Sequence, residues 1–284
     1  DMPYSQTIGA ISFFSRSRWV ALLLLVFFGT SQLKSQQVTR SKKTTDLVVD
    51  SLARQLRKYY VDQEAGVKMS AFIKKRCKEG AYDNISDPHQ FAAALSRDVL
   101  SVHRDEHFHV EFHPALAKEV SGEVEDIPRM VADKLQIEKN KNYGFKKAEI
   151  LNGNIGYLEI SSFSRLNRHS AAAANHAFNM LGNTDGLIID LRYGVGGSPD
   201  MVTHILSRFF KEKKLVNTIY IRSENATLPY WTQPDSTQAY FGNKPIYILT
   251  SYKTFSAAEG LAFTLQASGN AKIVGEKTRG GAHT

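Results

Sequence analysis

The segment Gly186-Leu-Ile-Ile-Asp-Leu191 is apolar almost without interruption and runs through Arg192 into Tyr193-Gly-Val-Gly-Gly197. A strand with no polar alternation suits a parallel sheet covered on both faces. The elements around it repeat the same logic. Residues 169–182 form an Ala-rich helix before it, and Pro199 to Phe210 reads as a helix after it. Ile219 to Ile221 is a short strand. Pro245 to Thr250 is a second buried strand, followed by a helix from Ser256 to Ser268 and a last strand from Ala271 to Val274. Upstream, Ala148 to Leu151 and Ile155 to Ile160 flank Asn152-Gly153, which predicts a β-hairpin. Strand–loop–helix repeats of this kind predict a layered α/β core over residues 143–284.

The chain before this core is different. Leu47, Val48, Leu52, Leu56 and Tyr59 fall near helical spacing, and so do Phe91, Leu95 and Val99 behind Ser86-Asp87-Pro88. Residues 36–113 therefore read as a small helical domain. Its end changes period. Phe108, Val110 and Phe112 alternate with His107, His109, Glu111 and His113, as in a half-buried strand. Residues 114–142 are polar and irregular, a linker shorter than the roughly 50 residues of an independent domain.

Residues 1–35 read as a signal segment and a short mature start. Arg16 and Arg18 precede the apolar run Trp19 to Phe28, and the small residues Gly29, Thr30 and Ser31 follow. The run is well below the roughly 20 residues that span a bilayer, and the pattern is that of a secretory signal. The expected location is therefore periplasmic or extracellular, with membrane contact only through this segment if it stays uncleaved. Asp1 before Met2 suggests a fragment or an unusual gene start.

The net charge of +8, from 36 basic and 28 acidic residues, is dispersed along the chain. Lys74-Lys75-Arg76 and Lys211 to Lys214 are short runs, with no basic stripe of the kind that nucleic acid requires. The lone Cys77 forms no disulfide framework and no thiolate metal cluster.

Two strand ends carry candidate chemistry. Glycines Gly194, Gly196 and Gly197 can present backbone N–H groups to an anion, or merely make a tight turn. Ser256 stands where a helix begins. With Glu259 it fits a Ser-x-x-Glu capping box. Equally, a serine at a helix N-terminus is held rigidly, where the dipole and N–H groups favour a developing oxyanion. The spacing leaves both open. The histidines are also ambiguous: His103, His107, His109 and His113 could gather zinc, decorate a surface strand, or supply a base.

Taken in order, Leu187 to Leu191 with Arg192 and Gly196-Gly197, Thr250-Ser251, Ser256-Ala-Ala-Glu259, and Val274-Gly-Glu-Lys-Thr278 running into Gly280-Gly281 resemble the core of the C-terminal processing (tail-specific) serine peptidases. The resemblance implies a Clp-protease/crotonase-like α/β core and a serine endopeptidase acting on protein or peptide without a cofactor, which the signal segment makes an exported one. It makes Ser256 the nucleophile and implies an oxyanion hole from the N–H groups of Ala257 and of Gly196 or Gly197. The serine–lysine branch carries its base where this chain has Gly281, and Lys277 lies four residues too early. The branch similar to tricorn core protease and interphotoreceptor retinoid-binding protein places an Asp-x-His segment before the core and often lacks a PDZ domain. Asp105-Glu106-His107 fits it, which makes His107 the base. The same branch implies an acidic catalytic partner beyond Thr284, so that the core is C-terminally incomplete. The alternative within the fold is a non-catalytic protein that binds apolar ligands.

Overall fold

A computed structural model describes residues 41–114 and 127–281. The chain divides into two compact units, at Ile127/Pro128. The signal segment lies outside the described residues. Among the described residues no helix is long and apolar enough to cross a membrane.

The first unit is helical. Helices α1 (Lys42–Tyr59), α2 (Gln63–Lys78) and α3 (Pro88–Val102) follow one another. Each starts on an oxygen-bearing side chain that satisfies a first-turn donor. Ser41, Asp62 and Asp87 accept from Thr44, Ala65 and Gln90 N–H, respectively. Their apolar faces meet in one core of Val48, Leu52, Leu56, Met69, Ile73, Phe91, Leu95 and Val99. Gly66 is required by packing, because a β-carbon there would lie 2.4 Å from the Leu56 carbonyl oxygen.

The expected His-rich strand is not formed. Residues 107–113 alternate in burial, with Val110 buried and His109 and Glu111 exposed, but they join no ladder. The hydroxyl of Ser96 on α3 replaces a strand partner. It accepts from Val110 N–H at 2.7 Å and donates to Val110 C=O at 3.2 Å. The alternation therefore reports one apolar side packed on the helical core, which period alone cannot tell from a strand. The expected irregular linker is also corrected in its second half, where helix α4 spans Ile127–Asn140. Ile127, Val131 and Leu135 recur at i, i+4 and i+8 along it, the helical spacing that the polar, irregular reading of the linker passed over. Val131, Leu135 and Ile137 are about half exposed.

The second unit is a layered α/β core. Strand β1 (Phe145–Leu151) pairs antiparallel with β2 (Ile155–Ile160), and β2 pairs parallel with β3 (Gly186–Asp190). A separate hairpin pairs β4 (Leu215–Ile221) with β5 (Ala226–Trp231). Then β6 (Ile246–Thr250) and β7 (Lys272–Gly275) extend the main sheet in parallel, giving the order β1-β2-β3-β6-β7. Helices α5 (Arg168–Met180), α6 (Pro199–Leu206) and α7 (Ala257–Ala267) complete the unit. Leu158, Ile160, Leu187, Ile189, Ile246 and Ile248 from the sheet share a core with Phe178, Met201, Ile205, Leu261 and Leu265 from the helices. Phe178, Phe209 and Phe241 pack edge-on or tilted within it, centroids 5.6–6.3 Å apart. The other sheet face is less covered than the apolar run predicts: Tyr247 is 41% exposed and Val274 47%. Helical start and layered α/β core are the architecture that the resemblance implies.

Candidate active site

The C-terminal ends of β3 and β6 lie side by side and each continues into a loop. After β3, Asp190 is buried and its carboxylate takes the Arg192 side chain in a two-pronged pair, with Nη2 at 2.6 Å and Nε at 3.0 and 3.1 Å. Asp190 also accepts from Arg192 N–H at 3.0 Å and from the Tyr157 hydroxyl at 2.6 Å. Burial alone would raise the Asp190 pKa, but these hydrogen bonds outweigh it and hold it below the usual carboxylate range. Burial, reinforced by the bond to Asp190, pushes the Tyr157 phenol up to about 12. The start of the glycine loop is thereby fixed.

The two loops are then buckled together. Thr254 Oγ1 donates to Leu191 C=O at 2.7 Å, Ser251 Oγ to Arg192 C=O at 2.5 Å, and Phe255 N–H to Gly194 C=O at 2.9 Å. Gly197 is pinned on its other side. Its neighbours bond to Phe163, through Phe163 N–H to Gly196 C=O and Ser198 N–H to Phe163 C=O. A β-carbon on Gly197 would fall 2.0 Å from the Phe163 carbonyl oxygen, at a φ of +141°.

Ser256 is the N-cap of α7, and Glu259 supplies the reciprocal half of the capping box, with no hydrogen bond between the Ser256 hydroxyl and the first turn. The Glu259 carboxylate accepts from Ser256 N–H at 2.7 Å. Yet Ser256 is not an ordinary cap. Ser41, Asp62, Asp87, Asn167 and Ser198 all precede their helices from extended backbone, as caps do. Ser256 has φ 55° and ψ −120°. A non-glycine residue held there costs on the order of 1–3 kcal/mol and persists only where its surroundings enforce it. A sharp strand-to-helix turn of this kind lifts a serine hydroxyl clear of the backbone.

Gly196 lies directly against this turn. A β-carbon on it would sit 2.7 Å from Ser256 Cβ and 3.2 Å from Ala257 N. The backbone N–H groups of Gly196, Gly197 and Ala257 have no hydrogen-bond acceptor among the described residues. Ser256, Ala257, Gly196 and Gly197, far apart in sequence, are thus gathered at one place in the second unit.

His107 belongs to the first unit. Its ring is nearly buried, with Nδ1 3.8 Å from Asp105 Oδ1, and the His107 backbone N–H donates to the same oxygen at 2.9 Å. The other Asp105 oxygen accepts from the Tyr60 hydroxyl at 2.8 Å. Burial and this bond push the Tyr60 phenol well above its ordinary pKa. The remaining histidines diverge: His103 packs edge-on to Tyr60, while His109 is exposed beside Glu111. Among the described residues no three His, Cys, Asp or Glu side chains gather as a metal site would require.

Residues 154–284 match the family model of peptidase family S41, and residues 33–143 match that of the N-terminal domain of this family in eukaryotic IRBP. The chain belongs to peptidase family S41. Among S41 relatives, a carboxyl-terminal-processing protease of Synechocystis sp. is 32% identical over 126 residues, covering 44% of this chain and 28% of that protein. The carboxy-terminal processing protease CtpA of Bacillus subtilis is 28% identical over 133 residues, covering 47% and 27%. The chain therefore spans about a quarter of the length of these relatives. The solved photosystem II D1 C-terminal processing protease is 26% identical, covers 44% of this chain and 30% of its own, and superposes with a TM-score of 0.36.

The sequence points to the candidates but not to their partners. Tyr157 gives no signal, because an isolated tyrosine in an apolar stretch looks like core, and Tyr60, the second of the pair Tyr59-Tyr60 in a charged stretch, looks like a helix end. Asp190 is visible as the one charged residue within the apolar run Gly186 to Leu191.

Proposed function

We propose that this S41 chain is an exported serine endopeptidase that cleaves protein or peptide substrates through an acyl-enzyme on Ser256. The observation that carries the reading is the positive-φ backbone of Ser256, which no other α-helix N-cap among the described residues shares, beside N–H groups with no acceptor there.

In the proposed reaction, Ser256 Oγ attacks the scissile carbonyl carbon while its proton passes to a base. The N–H groups of Ala257 and of Gly196 or Gly197 receive the oxyanion, a stabilisation worth about 3–4 kcal/mol per donor in comparable sites. The tetrahedral species collapses, the C–N bond breaks, and the base returns the proton to the leaving amine. Water then attacks the ester, delivers its proton to the base, and releases the acid and free Ser256. The reading assigns the base to His107. A neutral imidazole is the side chain most often used as a general base, and Asp105 beside it favours one ring orientation. The signal-like run Trp19 to Phe28 supports export.

The test is intact-mass measurement of the full chain quenched in acid during turnover of a denatured protein substrate. An adduct of acyl mass on wild type and none on Ser256→Ala is the expected result. Cleavage that persists in Ser256→Ala would overturn the assignment. Tight binding of apolar ligands with no cleavage by either chain would favour the binding-protein alternative.

A further inference from the structure

Glu259 holds more than its own helix. A capping box needs one carboxylate oxygen for the N-cap N–H. Here Oε2 accepts from Ser256 N–H at 2.7 Å and also from Gly281 N–H at 2.8 Å, while Oε1 accepts from Gly280 N–H at 2.8 Å. Two of the three donors lie more than twenty residues downstream. They are consecutive, and Gly280 has φ +89°, a backbone state that turns successive N–H groups toward one anion and that glycine adopts without strain. The segment that ends in these glycines is already stitched to the loop before Ser256. Glu276 N–H donates to Thr250 C=O, Tyr252 N–H donates to the Glu276 carboxylate, and Arg279 N–H donates to Thr254 C=O. Glu259 closes this series at the serine itself.

We infer that Glu259 is a positioning residue: its carboxylate couples the Gly280–Gly281 segment to the strained Ser256 turn, so that the reactivity of Ser256 depends on where that segment sits. This rests on the nucleophile reading above. It assigns Glu259 no contact with substrate. The three bonds are charge-assisted and demand two acceptor oxygens on one side chain. A glutamine supplies a single acceptor oxygen and no charge. The upstream ties through Glu276 and Arg279 do not involve Glu259, so its loss should loosen the glycines and the serine turn without unfolding the unit.

The experiment compares the full chain with Glu259→Gln and Glu276→Gln, by amide hydrogen exchange and by the rate of fluorophosphonate labelling at Ser256. Glu276→Gln is the control, since it weakens a carboxylate–backbone bond in the same segment without touching Ser256. Glu259→Gln should speed exchange at Ser256, Gly280 and Gly281 and slow labelling, each by about tenfold, the scale of one charge-assisted hydrogen bond. Its thermal midpoint should stay near that of wild type, and Glu276→Gln should label at the wild-type rate. Wild-type labelling in Glu259→Gln overturns the coupling. So does exchange at Gly280 and Gly281 that remains as protected as in wild type. A wild-type chain that takes no label at Ser256 overturns the nucleophile reading instead, and the exchange measurement then decides the coupling on its own.

Discussion

Gly196 and Ser256 approach so closely that a β-carbon on the glycine would stand 2.7 Å from the serine β-carbon. Real β-carbons do not approach to that distance, so the contact exists only because residue 196 is glycine. It places an N–H of one loop, without an acceptor among the described residues, beside the strained turn of the other.

Gly196→Ala should therefore fold, with the loop displaced, and lose most labelling at Ser256. Gly197→Ala should be worse for the fold than for the site, because its β-carbon would meet the Phe163 backbone at 2.0 Å. Thermal midpoints and labelling rates of the two variants separate these effects. Equal midpoints for both would contradict this packing.

The strain at Ser256 makes its own prediction. Glycine occupies φ 55° without steric cost, whereas alanine does not. Ser256→Gly and Ser256→Ala should both be unreactive, but the glycine variant should be more stable by about 1 kcal/mol, within the usual range for relieving such a residue. Denaturant unfolding of the two variants measures the difference. An alanine variant that is the more stable of the two would mean that the turn is relaxed.

Much of this arrangement is legible in the sequence. The buried runs ending in Asp190 and Thr250 mark the strands, and the glycines and Ser256 fall at their ends, where an α/β sheet presents its loops. What periodicity cannot supply is the partner of an alternating segment: Phe108 to Phe112 looks like a strand, yet Ser96 on α3 satisfies it. Helix α4 is a different case: Ile127, Val131 and Leu135 do lie at helical spacing, but inside a polar stretch that reads as linker. The double duty of Glu259 is equally hidden. Ser-x-x-Glu announces a cap, and nothing local announces two glycine N–H groups arriving from Gly280 and Gly281.

Acid should loosen the loop after β3. The Asp190 pKa is depressed in the folded chain, so its contribution to stability is present above the unfolded carboxylate value near 3.9 and is lost as pH falls through the lower folded value. Asp190→Asn should lose about 2 kcal/mol at neutral pH, as when a charged hydrogen-bonding partner is removed. Its stability should then fall less steeply than that of wild type below about pH 4, the reference carboxylate value. Parallel acid profiles would contradict this.

His204 works in a higher window. Burial, and then the charge of Arg208, lower its pKa, and its Nε2 lies 2.8 Å from Asn175 Oδ1. The unfolded chain therefore binds a proton below about 6.5 that the folded chain refuses, and stability should fall as pH drops through that value. The loss should be complete once the lower folded pKa is passed. His204→Gln should remove this slope from a plot of unfolding free energy against pH. An unchanged slope would place the titration elsewhere.

The base assignment predicts that His107→Ala loses several orders of magnitude in kcat/KM, as loss of a triad base does. Lys277→Ala should retain nearly all activity. A dead Lys277 variant beside an active His107 variant would exclude His107 as the base.

The site of covalent capture tests the nucleophile most directly. The full chain should be treated with a fluorophosphonate, digested and mapped. The expected result is a single modified serine at Ser256, no modification of Ser256→Ala, and loss of labelling when the chain is unfolded first. Modification at another serine, or a folded chain that takes no label, would contradict Ser256 as the nucleophile.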